Sequence, residues 1–90
     1  MIGIYKATFD EEWLKYFNNL DNSIKEHIAK KIAKILEFPE KRHLKKRARF
    51  FIDEVSQYRI AYRVFEESKE VRFYFAGNHK SYEKWYKQYF

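Results

Sequence analysis

The hydrophobic period of this chain changes once along its length, and that change limits the folds open to it. From Trp13 to Leu36 apolar residues recur at helical spacing, and from Phe50 to Phe75 they alternate. Residues three and four apart share a helix face, whereas residues two apart share a strand face. The first half is therefore predicted to build helices and the second an antiparallel meander, the order of an α+β domain whose helices cover its sheet. Ninety residues are predicted to form a single domain, 1–90, with one modest core. Nine Phe, eight Tyr and two Trp supply enough apolar surface to offset the entropy of ordering, which excludes a disordered chain.

Element by element, Ile2 to Thr8 reads as an opening strand, and Thr8-Phe9-Asp10-Glu11 fits a capping box that starts a first helix. That helix carries Trp13, Leu14, Phe17 and Leu20 and stops near Asn18-Asn19. Asp21-Asn22-Ser23 then caps a second helix with Ile24, Ile28, Ile32, Ile35 and Leu36 on one side, which Phe38-Pro39 ends. So short a connection predicts an antiparallel helical hairpin. Three strands follow, at Arg49 to Val55, Tyr58 to Phe65 and Val71 to Phe75, joined by Ser56-Gln57 and by the polar run Glu66 to Glu70. Phe50-Phe51 leaves the inward face of the first of these open. Ser81 is predicted to cap a short terminal helix whose stripe of Tyr82, Trp85, Tyr86, Tyr89 and Phe90 docks on the body. The expected order is β-α-α-β-β-β-α, with about four strands in an antiparallel-rich sheet, the hairpin on one face and a short C-terminal helix.

The net charge of +6 is concentrated. Residues 25–49 hold ten basic and three acidic groups, a local charge of +7, and six of the nine residues from Lys41 to Arg49 are cationic. Such density stores self-repulsion that a polyanion relieves, and nucleic acid is the default polyanion. The candidate RNA-contacting residues are Lys41, Arg42, Lys45, Lys46, Arg47, Arg49, Arg63 and Lys80. The absence of cysteine excludes a disulfide framework and a zinc-thiolate site. No signal pattern or long apolar run is present, so the expected setting is cytoplasmic, with no membrane partner. His79 stands where a strand gives way to Gly77-Asn78 and then a helix start. With Arg59 and Arg63 on the preceding strand, that placement points to acid-base chemistry on a phosphodiester.

The element order, the Leu44-Lys45-Lys46 approach to the sheet, the strand Tyr58-Arg59-Ile60-Ala61-Tyr62-Arg63 and the closing Phe75-Ala76-Gly77-Asn78-His79-Lys80-Ser81-Tyr82 together resemble the RelE/ParE toxin superfamily over essentially the whole chain. The resemblance implies a ribosome-dependent mRNA endoribonuclease, the toxin of a type II toxin-antitoxin pair, acting without metal or cofactor. Its implied partners are mRNA, the ribosome and a cognate antitoxin, which the +7 segment predicts to be acidic. ParE-like members inhibit gyrase instead, so a gyrase-directed or degenerate, non-cleaving protein is the alternative.

By that resemblance Arg59 is the clamp on the scissile phosphate, a role suited to a planar guanidinium that holds two oxygens and stays charged. His79 occupies the place of an arginine in RelE-like members and of a histidine in a YafQ-like branch, and Tyr82 lies near the family's terminal tyrosine. The second-strand lysines of RelE are missing; Phe51-Ile52-Asp53-Glu54 stands there. Proton transfer is therefore expected from His79, Asp53 or Glu54. The implied reaction is attack of a ribose 2′-hydroxyl on the adjacent phosphorus with departure of the 5′-oxygen. It needs a base, an acid and cationic stabilisation.

Overall fold

Amphipathic and alternating segments fold as their periods require, with three departures that bear on function. The computed structural model describes residues 5–37, 45–47 and 50–88. In chain order the elements are β1 (Lys6–Phe9), α1 (Trp13–Phe17), α2 (Asn22–Glu37), β2 (Lys45–Arg47), β3 (Phe50–Val55), β4 (Tyr58–Phe65), β5 (Glu70–Asn78) and α3 (His79–Lys87). The strands form one sheet in the order β1-β5-β4-β3-β2. β1 runs parallel to β5, and every other pair is antiparallel. The expected positions Ile2, Phe38-Pro39, Lys41, Arg42, Leu44, Arg49, Tyr89 and Phe90 lie outside the described residues.

The first departure is a fifth strand. Lys45–Arg47 pairs along β3, Lys46 opposite Phe51, at the edge of the sheet. A lysine-rich segment suits that place, because charge on an edge strand discourages pairing with other chains.

The second departure concerns helix starts. Thr8 lies in β1, where its hydroxyl donates to the Glu70 carboxylate at 2.5 Å, so it caps nothing. That bond is the main reason the Glu70 carboxyl is held below its ordinary pKa. The turn into α1 is closed instead at Asp10, whose carboxylate accepts from the Glu12 amide and whose carbonyl accepts from that of Trp13. Likewise Asn78, not Ser81, caps α3: its side chain accepts from the Ser81 amide at 2.8 Å. An N-cap side chain bonds an amide two or three residues on, and Ser81 is the donor in that pair.

The third departure is in β5. Tyr62 pairs with Phe73 but Ala61 pairs with Phe75, so Tyr74 is an extra residue in the ladder. A bulge of this kind bends the strand and changes which face it presents. Val71 and Phe73 pack with Ile60, Tyr62, Ile28, Ile35 and Trp13 on the face covered by α1 and α2. Phe75 turns to the other face, with Phe50, Ile52, Ala61, Tyr82 and Trp85. The sheet thus has helices on both sides, α1 and α2 on one and α3 on the other. Ile28 and Ile35 are wholly buried, each worth roughly 1.5–3 kcal/mol relative to exposure. The Tyr82 and Trp85 stripe is core, as its spacing implies.

Candidate functional site

Antiparallel register decides which candidates meet. β4 and β5 place Arg59 opposite Gly77, two residues before His79, and β3 and β4 place Glu54 opposite Arg59. Residues two apart on a strand share a face, so Arg59 shares the α3 face with Ala61 and Arg63. Arg59 is only 7% exposed. Its guanidinium lies over the Tyr82 ring, 5.1 Å from the centroid, and its Nη2 stands 3.5 Å from Glu54 Oε2. Cation-ring contact and ion pairing hold the group in one orientation. Arg59 Nε is buried with no hydrogen-bond partner among the described residues, a donor left unsatisfied behind Glu54.

Glu54 of this pair, but not the buried Arg59, lines a groove together with Ser56, Gln57, Asn78, His79 and Lys80. His79 and Lys80 are the first two residues of α3 and are exposed. The first amides of a helix have no intrahelical acceptor and favour anions. Here the Asn78 cap takes the Ser81 amide. The groove therefore joins an exposed imidazole, a carboxylate and an ammonium at the junction of β5 and α3, with the buried Arg59 guanidinium behind the carboxylate that pairs with it, groups able to seat a phosphate and move a proton beside it. Among the described residues no cluster of three His, Asp or Glu side chains forms that could hold a metal ion, and no helix is long and apolar enough to cross a membrane.

Other expected site residues lie elsewhere. Asp53 is on the opposite face of β3 from Glu54, 8% exposed, with its carboxylate 3.8 Å from Lys31 of α2. It stands close to Tyr62, whose phenol is held above its ordinary pKa by burial and then by the Asp53 charge. Tyr82 is fully buried, so it supports Arg59 from below and does not line the groove. Arg63 shares the Arg59 face but pairs with Arg72 at the far end of the strand, its guanidinium over Phe50 at 4.6 Å and Tyr74 at 5.2 Å. Lys45, Lys46 and Arg47 belong to edge strand β2, with β3 between them and β4. Asn78, Ser56 and Gln57 complete the groove although the sequence reading assigned them no role there; the cap spacing from Asn78 to Ser81 was the available signal.

Gly77 is required for space. A Cβ there would lie 2.6 Å from Phe75 Cζ, and that ring is enclosed by Trp85 at 5.3 Å and Tyr16 at 4.9 Å. Gly77→Ala should destabilise the protein by about 1–3 kcal/mol through overpacking beside Arg59. Urea unfolding measures this, and an unchanged midpoint would mean that Phe75 moves aside freely.

No protein-family model and no curated protein sequence matches the chain. Solved structures do. A mutant E. coli RelE toxin in the free state superposes with a TM-score of 0.74 at 28% identity, over 92% of this chain and 90% of that one. RelE in the intact E. coli RelBE toxin-antitoxin complex gives 0.70 at 28% identity, over 82% and 95%. The RelBE2 toxin-antitoxin complex of Mycobacterium tuberculosis gives 0.74 over 84% and 92%, and at 18% identity that likeness speaks for the fold alone.

Proposed function

Because the chain belongs to the RelE toxin superfamily, we propose that it is the toxin of a toxin-antitoxin pair and that it cleaves mRNA on the ribosome, in the cytoplasm, by a metal-independent reaction. The observation that carries this reading is the groove lined by Glu54, His79 and Lys80, whose Glu54 is ion-paired to the buried, oriented Arg59 guanidinium. Arg59 holds the scissile phosphate and stabilises the charge that develops on its oxygens. Glu54 and His79 carry the two proton transfers, one from the 2′-hydroxyl as it attacks and one to the departing 5′-oxygen. The incoming phosphate displaces the Glu54 carboxylate from Arg59, which frees that carboxylate to accept a proton. Tyr82 is a positioning residue for Arg59. A cognate antitoxin, acidic and folding on binding, is the partner that silences it.

One observation favours the non-cleaving alternative: Glu54 already occupies the guanidinium, as a carboxylate would in a clamp that has lost its substrate. Induced expression separates the two readings. Growth should stop with translation, and primer extension on a reporter message should give new 5′ ends inside translated codons. Intact messages together with gyrase-linked DNA breaks would reject cleavage.

A further inference from the structure

The groove at His79 does not stand alone. On α2, His27, Lys30, Lys31 and Lys34 recur at i, i+3, i+4 and i+7, so they lie along one side of the helix next to the buried Ile28 and Ile35. They form one wall of a second groove whose other wall is Glu54, Val55 and Ser56. Glu54 and Ser56 also line the groove of His79 and Lys80, so the two meet at the turn between β3 and β4. Lys31 is tied to Asp53 at 3.8 Å, which fixes the helix side against the sheet. Lys30 and Lys34 are exposed, and neither forms an ion pair with a carboxylate among the described residues.

We propose that this side of α2 is a second phosphate-binding site, in which Lys30 and Lys34 hold backbone phosphates of the same RNA strand whose scissile phosphate sits on Arg59. The assignment rests on the proposed function and extends it from a single clamp to a track. Side chains four apart on a helix stand roughly 5–6 Å apart at Cβ, comparable to the interval between successive phosphates of one strand. Lysine suits such a track, because a point charge on a flexible stem accepts varied backbone geometry and reads no sequence. An acidic peptide fits less well: tight peptide capture needs buried apolar anchors, and Val55 is the apolar member of this lining.

The test uses the purified full chain and a fluorescent single-stranded RNA dodecamer, 2′-O-methylated so that it cannot be cleaved, titrated across salt concentrations. Lys30→Ser with Lys34→Ser should flatten the dependence of log affinity on log salt by about 1.4, two phosphate contacts at about 0.7 each. The charge-matched pair Lys84→Ser with Lys87→Ser on α3 should change that slope by less than half as much. Equal changes in the two variants would reduce the effect to net charge and overturn the track, as would an unaltered slope. An unaltered slope with slower capture by an acidic antitoxin would assign this side of α2 to the protein partner. Cleavage of ribosome-bound message by the unmodified chain is followed in parallel. Its absence counts against the proposed reaction, whereas the RNA slope alone decides the track.

Discussion

Arg59→Ala should lower the rate of message cleavage by about a hundredfold or more, the usual cost of removing an oriented group that stabilises transition-state charge. Arg59→Lys should be impaired nearly as severely. The guanidinium is held between the Tyr82 face at 5.1 Å and Glu54 at 3.5 Å, and an ammonium can neither stack as a plane nor offer two parallel donors. Single-turnover cleavage on programmed ribosomes measures the loss, with circular dichroism to show that the fold is kept. Arg59 is 7% exposed, so the lysine variant, which keeps the charge and most of the volume, is the more telling of the two. Cleavage within a few-fold of the unmodified chain in that variant would remove the phosphate clamp from the mechanism.

His79→Ala should cost about a hundredfold or more in the same assay, the range for a positioned acid or base. The side chain is exposed at the start of α3, so stability should change little. Glu54→Gln should also slow cleavage, and Asp53→Asn should not, because Asp53 faces α2 through Lys31 and does not line the groove. If His79→Ala cleaves normally, proton transfer does not depend on the imidazole. If Asp53→Asn is the slow variant, the division of roles between the two neighbouring carboxylates is wrong.

The contrast between Asp53 and Glu54 shows what the sequence made legible. Both are acidic, adjacent and on the strand that replaces the expected lysines, and only register separates them. A one-residue step on a strand exchanges its faces, and Phe50-Phe51 hid which face was inward. In the structure Phe50 packs beside Trp85 under α3, whereas Phe51 packs on Tyr62 on the other face. α2 was legible because sixteen residues carry an unbroken apolar stripe. β2 was not, since Lys-Lys-Arg has no alternation to detect and is a strand only because β3 pairs with it. The bulge at Tyr74 was also hidden: an extra residue in a ladder leaves the local aromatic pattern unchanged. Thr8 misled for a related reason, as its hydroxyl can cap a helix or bond across strands and the distant Glu70 decided between them.

The parallel pairing of β1 with β5 has a consequence in time. Lys6 is registered against Glu70, so the strand that delivers His79 is flanked by one partner made early, β1, and one made just before it, β4. Such long-range pairing bears its loop-closure entropy before any contact rewards it, which slows folding. A nascent chain whose synthesis has reached only β4 has neither β5 nor α3, and so has neither the cap at Asn78 nor the support of Tyr82 beneath Arg59. On the proposed reading, the protein has no complete site while its synthesis has reached only β4. Its weapon is assembled only after most of the chain has been synthesised, which leaves an antitoxin that interval in which to arrive first.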